Sequence, residues 1–181
     1  MKTTKNLIKT VLTFGVLLMT QLTNAQKLSI QSSNIKIDGT STLHAWDMTS
    51  KQSVFSGTVA GNAITNVRFV MKATSLKSNE SGLDKNAYKA LNTEKYPDIV
   101  FTAASIPTSG TATITGNLTI TNATKEVKIP VTVTKNGDNY NIKGTTKIKM
   151  TAFGVTPPKL MMGTIKTGDD LTITINVTAT N

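Results

Sequence analysis

The 181-residue sequence contains no cysteine and a single histidine. Disulfides, thiol nucleophiles and thiolate metal sites are thereby excluded, as is anchorage through a lipidated N-terminal Cys. A zinc site built from histidine and cysteine needs three or four ligands, and only His44 exists. A Ser-His-Asp triad would have to use the same residue. His44 stands in Ser41-Thr42-Leu43-His44-Ala45-Trp46, which lacks the glycine pattern of a nucleophile elbow. A hydrogen-bonding histidine near a strand start is the simpler reading. No glycine-rich phosphate loop precedes a helix, so nucleotide binding has no support. Asp169-Asp170 offers too few oxygens for an EF-hand loop and reads as part of a hairpin turn. The expectation is a protein with no catalytic residues, no metal and no cofactor.

Long apolar runs are also missing. Val11 to Thr20 is the longest, about half of the 20 residues that a bilayer span needs, so no stable transmembrane anchor is expected. That run follows Lys2, Lys5 and Lys9 and precedes Thr23-Asn24-Ala25, whose small residues suit signal peptidase at −3 and −1. Residues 1–25 are therefore expected to be a cleaved signal peptide, and residues 26–181 a single domain that is periplasmic or secreted. Losing the three lysines lowers the formal charge from +10 to +7. The remaining lysines are spread along the chain, which describes a solvated surface. Nucleic-acid binding would need a basic stripe interleaved with stacking aromatics. Lys143, Lys147 and Lys149 share a strand face, but Tyr140 belongs to the other, so no nucleic-acid partner is expected.

What the sequence does have is alternation. Ala112, Ile114, Gly116, Leu118 and Ile120 alternate with polar residues, as do Val127 to Val133, Tyr140 to Met150 and Leu171 to Ala179. A period of two marks strands with one buried and one wet face, the habit of antiparallel sheets. The abundant threonine on the wet face suits a pleated surface. Strands are expected at 27–37, 43–48, 52–60, 63–75, 98–105, 111–121, 125–135 and 139–152, with a ninth at 170–180. Asn136-Gly137 predicts a type I′ hairpin turn, and Gly61-Asn62, Asn122-Ala123 and Gly168-Asp169 mark comparable junctions. Sequential hairpins in this number favour an up-and-down barrel or a two-sheet sandwich.

One segment breaks the period. Leu83, Ala87, Ala90 and Leu91 fall on a helical stripe within 81–92, with Ser81 and Asp84 at capping-box spacing. The helix should end before Tyr96-Pro97. A short helix between strands can lid one end of a barrel. A second irregular stretch, 153–167, carries Pro157-Pro158 and Leu160-Met161-Met162. Large apolar residues abound, and ordinary core packing explains many of them. An eight-stranded barrel, however, is about the smallest that encloses a ligand, and methionine repacks readily around apolar guests.

Three stretches, IDGTSTLHAW (37–46), LDKNAYKALNTEKYPDIVFTA (83–103) and GNLTITNATKEVKIPVTV (116–133), resemble the YceI-like family in order and spacing. The segment from Phe153-Gly154 to the last strand is similar too, whereas the Pro157-Pro158 and Met161-Met162 loop looks particular to a subgroup. The resemblance implies an all-β, extended antiparallel lipocalin-like barrel of about eight strands with one short inserted helix. It also implies an apolar tunnel holding a polyisoprenoid chain or related amphiphile, and no catalytic residues. By alternation and position, the candidate lining is Trp46, Phe69, Met71, Leu83, Tyr88, Leu91, Phe101, Leu118, Met150 and Phe153. The functional expectation is an exported carrier of an isoprenoid lipid. The rival is a packed structural or adhesion-type β-domain acting through its surface, and monomer and homodimer both stay open.

Overall fold

In the computed structural model, residues 26–181 are described, and the expected signal peptide lies outside them. The strands are β1 (Gln26–Thr40), β2 (Ala45–Ser50), β3 (Ser53–Ala60), β4 (Ala63–Lys72), β5 (Asp98–Pro107), β6 (Gly110–Ile120), β7 (Ala123–Asn136), β8 (Asn139–Lys149), β9 (Lys159–Leu160), β10 (Ile165–Lys166) and β11 (Asp170–Thr180), with one α-helix among the described residues, α1 (Ser81–Leu91). β1, β3, β4, β5, β6, β7, β8 and β11 pair in that order, and β11 pairs with β1, closing an antiparallel barrel of eight strands. Closure leaves no long exposed edge. The alternating threonines of the sequence form the outer wall, and the Ile, Val and Leu positions point inward.

β1 is longer than its neighbour on one side. Its first residues pair with β3, and Ile35 to Thr40 pair with β2. β2 and β3 thus act as one strand broken at Lys51-Gln52. Small polar side chains fill the break: Ser53 Oγ donates to Ser33 Oγ at 2.6 Å, and the Ser50 and Ser75 hydroxyls lie 2.6 Å apart. Ser33 and Ser50 are buried, so these bonds offset the cost of taking hydroxyls out of water. Beyond the break, Lys77 exchanges two backbone bonds with Thr49, covering the free edge of β2.

The two ends of the barrel differ. At one end, two-residue turns close β3–β4 and β7–β8, and a short link joins β5 to β6. Leu28, Ile64, Val133, Tyr140 and Ala179 pack there as a solid floor. The long connections all lie at the other end: residues 41–44, 73–97 and 150–169. Lys149 and Asp170 are direct partners, so the last excursion leaves the wall and rejoins it at the same point.

Several local expectations are corrected. The β7–β8 turn is centred on Gly137-Asp138, with positive φ at Gly137 (59°) and not at Asp138. This is the φ pattern of type II′, not the expected I′ at Asn136-Gly137. The β6–β7 turn is Thr121-Asn122, one residue earlier than read, and places Thr121 at φ 54°. The Thr121 hydroxyl donates to the Phe153 carbonyl at 2.9 Å, a contact that helps hold this unfavourable conformation. Asp169-Asp170 is not a hairpin turn. The Asp169 carboxylate accepts from Thr151 N at 2.8 Å and Thr151 Oγ1 at 2.7 Å, while Asp170 pairs with Lys149.

The α1 cap also differs. The N-cap is Glu80 with no side-chain capping bond, and Ser81 is the first helical residue. Asp84 instead turns back to Ser78, accepting from its N–H and hydroxyl at 2.8 Å each. Asn92 ends the helix in a left-handed conformation, as helix C-termini prefer.

Candidate ligand cavity

The barrel interior is a cavity of about 210 Å³ running from the solid floor to the loop-rich end. Two bulges shape it. In β1 the register slips between Ile30 and Ser32, moving the inward set from Leu28 and Ile30 to Ser33, Ile35 and Ile37. In β4 the slip falls beside Asn66 (φ 53°), moving it from Ile64 to Val67, Phe69 and Met71. An extra residue bends a strand and reverses which side chains face in. Without the second slip, Phe69 and Met71 would face solvent.

The wall of the cavity is hydrocarbon. Ile114, Leu118 and Ile120 come from β6, Ile129 and Val131 from β7, Ile142 and Ile148 from β8, and Leu171 to Val177 from β11. Among the described residues, apart from Asn86, Thr146, Thr167 and the Trp46 indole, every lining side chain is hydrocarbon or thioether, and none is ionisable. Thr146 Oγ1 donates to the Lys128 carbonyl and the indole N–H to the Thr40 carbonyl. Their polarity is therefore spent on the backbone. An apolar cavity of this size stays dry and takes apolar guests.

Two glycines seat the aromatic lining. Gly39 is the cross-strand partner of Trp46, and a Cβ there would lie 2.2 Å from the indole ring. A Cβ on Gly116 would lie 2.4 Å from the Phe101 ring and 2.6 Å from the Thr102 carbonyl oxygen. In each case the absent side chain is what lets the ring lie flat on the wall.

The open end is lidded by α1 and by the return segment. Leu83, Ala87, Ala90 and Leu91 face the cavity from the helix, and Phe153, Val155, Pro158 and Leu160 face it from the segment after β8. Leu160 is also 39% exposed, so the cavity reaches the surface beside the β9–β10 ribbon.

Nine residues singled out from sequence line this one cavity: Trp46, Phe69, Met71, Leu83, Leu91, Phe101, Leu118, Met150 and Phe153. Tyr88 does not, and that assignment is corrected. Its hydroxyl reaches the carbonyls of Leu76 (2.6 Å) and Thr74 (2.9 Å), and the Lys77 ammonium sits 5.0 Å from its ring centre. Tyr88 fastens the lid to the barrel rim. The candidate lining read from sequence omits the isoleucines and valines, which form the largest group in the wall. Their signal is the same alternation that locates the strands.

His44 is exposed, and its Nδ1 lies 2.7 Å from the Ala45 carbonyl oxygen. The nearby Ser41 hydroxyl accepts from the Leu43 and His44 backbone and donates to the His44 carbonyl. Ser41 therefore organises the β1–β2 turn. Among the described residues, no helix is long and apolar enough to cross a membrane.

Residues 25–179 match the YceI-like domain family. Two Pseudomonas putida relatives, each called UPF0312 protein, are 33% identical over 98 residues, which is 49% of this chain and 51% of theirs. The chain thus spans about half the length of the curated relatives it matches. Among solved structures, Burkholderia cenocepacia BcnA is similar at a TM-score of 0.69 and 21% identity, covering 82% of this chain and 96% of that one. A polyisoprenoid binding domain from Saccharophagus degradans, implicated in plant cell wall breakdown, is similar at 0.67 and 10% identity, covering 84% and 97%. A Campylobacter jejuni YCEI protein is similar at 0.56 and 18%, covering 90% and 88%. At these identities the structures share the fold.

Proposed function

The chain belongs to the YceI-like domain family, and on that premise we propose that it carries or sequesters a long-chain isoprenoid lipid or similar amphiphile. The observation that carries this reading is the continuous, uncharged cavity inside a closed barrel. Hydrocarbon gains about 0.8 kcal/mol per buried CH₂, so a dozen carbons supply roughly 10 kcal/mol before losses. Lost translational and conformational freedom removes a large part of that. The remainder still favours a chain that survives purification. Asn86 and Thr167 lie at the lidded end, which suits a ligand whose polar head stays near the mouth while its tail runs toward the floor.

Carriage of this kind needs no reactive group, and the reading is of a binding protein, not an enzyme. Lys2, Lys5, Lys9, the Val11 to Thr20 run and Thr23-Asn24-Ala25 support export with cleavage after Ala25. The rival, a β-domain acting only through its surface, would call for a solid core, and the open interior speaks for the carrier.

The test is native mass spectrometry with lipid extraction on protein purified from its own host. A mass excess that extracts as an isoprenoid chain is expected, with an N-terminus at Gln26. Protein that is consistently empty and also refuses added polyprenyl lipids would overturn the proposal.

A further inference from the structure

The β9–β10 ribbon is built at odds with a purely aqueous setting. Met161 and Met162, at its tip, are 73% and 108% exposed. Both have positive φ, 51° and 55°, a conformation that bulky L-residues adopt rarely and at a cost. Two large apolar side chains are thus held outward by a backbone that asparagine or glycine would suit better. Leu43, 68% exposed, joins them: Thr42 N donates to the Lys166 carbonyl, and Thr42 Oγ1 bonds to the Thr164 carbonyl and the Lys166 N–H.

Within the segment that forms this tip, the charge has one sign. Lys159 and Lys166 are cross-strand partners at the base of the ribbon. Residues 153–168 contain those two lysines and no aspartate or glutamate. Of the nearest acidic groups in sequence, Asp169 is bonded to Thr151 and Asp170 to Lys149. The tip also adjoins the cavity, since Leu160 lines it and directly precedes Met161.

We propose that this tip is a membrane-docking element: Leu43, Met161 and Met162 enter the headgroup–acyl boundary of an anionic bilayer, while Lys159 and Lys166 meet its phosphates. A narrow apolar point with a basic base fits a fluid anionic interface. Unbranched methionine conforms readily to disordered hydrocarbon. Docked this way, the cavity mouth faces the leaflet, and a lipid enters or leaves without its tail crossing bulk water. The docking goes beyond the carrier reading and borrows from it only the meaning of the cavity.

The test is co-sedimentation of the purified, naturally processed protein with vesicles of equimolar phosphatidylcholine and phosphatidylglycerol, against phosphatidylcholine alone. Binding to the anionic vesicles that weakens with salt is expected. The M161N/M162N variant keeps residues at ease with positive φ, and it should partition about tenfold more weakly through its lost apolar contact. Lys159→Glu with Lys166→Glu should abolish the preference for anionic vesicles. Val54→Ser is the control, because Val54 is 64% exposed but lies on the barrel wall; it should bind like wild type. Equal binding to both vesicle types, no binding, or a loss in V54S as large as in M161N/M162N would overturn the proposal. Extracting bound lipid from each variant separates the two readings. A full but non-docking protein refutes docking alone, and a docking but permanently empty one refutes carriage alone.

Discussion

Replacing Gly116 by alanine puts a methyl group 2.4 and 2.6 Å from two atoms of the Phe101 ring and 2.6 Å from the Thr102 carbonyl oxygen. Ordinary contacts begin near 3.4 Å, so these groups must retreat by about 1 Å, the scale at which overpacking strains a core. The ring has somewhere to go, because the cavity lies on its inner side. The carbonyl does not, since β5 and β6 are bonded through Val100 to Thr102. We therefore expect a loss of about 2 kcal/mol, within the 1–3 kcal/mol typical of overpacked sites. At a urea slope of about 2 kcal/mol per molar, the midpoint falls by about 1 M, and the melting temperature by roughly 4–8 °C for a domain of this size. In a Phe101→Ala background the same change should cost less but not nothing, because the carbonyl contact remains. A midpoint shift below about 0.2 M in wild-type background, or the full penalty in the Phe101→Ala background, would refute the reasoning.

Four further outcomes follow from named contacts. Gly39→Ala should lift the sole tryptophan off its seat beside Thr40, shifting Trp46 emission and weakening uptake of apolar ligands; unchanged emission would contradict the seating. Tyr88→Phe removes the hydroxyl that ties α1 to the rim, and about 1 kcal/mol of stability is expected to go with it, along with hydrogen-exchange protection in α1. Tyr140→Phe should be neutral or stabilising by up to about 1 kcal/mol, because the buried hydroxyl has no partner among the described residues; clear destabilisation in urea would show a partner exists. Hydrogen bonds from the Thr151 hydroxyl, then from its backbone N–H, hold the Asp169 carboxyl below the usual carboxylate range. A lowered folded-state pKa contributes stability above the ordinary range that is lost as pH falls through the lowered value. Thr151→Val should move the Asp169 titration, followed by NMR, back toward that range.

The barrel was legible because its signal is repetitive. The polar/apolar alternation of 111–121, 125–135 and 139–149 needs only one buried and one wet face to be read, though the last of these strands ends at Lys149 and not at the expected 152. The 81–92 helix was legible because its stripe interrupts that period. What escaped is local and non-repeating. The slips at Ile30/Ser32 and Asn66 each reverse the inward face, and a single extra residue leaves no mark on composition. The β6–β7 and β7–β8 turns fell one residue from their expected centres because cross-strand register, not the Asn-Gly pair itself, decides which residues are central. Tyr88 was misplaced for a similar reason: its ring shares the helix with Leu83 and Leu91, yet Leu76 and Thr74 offered carbonyls that its hydroxyl could reach. The break between β2 and β3 rests on serine contacts across 20 and 25 residues, beyond any local pattern.

The claim on which the functional account rests is that hydrocarbon occupies the barrel interior. Isotope-edited NOE spectroscopy tests it directly, using protein labelled at its Ile, Leu, Val and Met methyls with an unlabelled polyprenyl lipid. Contacts from the isoprenoid methyls to Leu118, Ile129, Ile148 and Met150, all lining the cavity, are the predicted result. Contacts confined to Leu43, Met161 and Met162, or none at all, would contradict it.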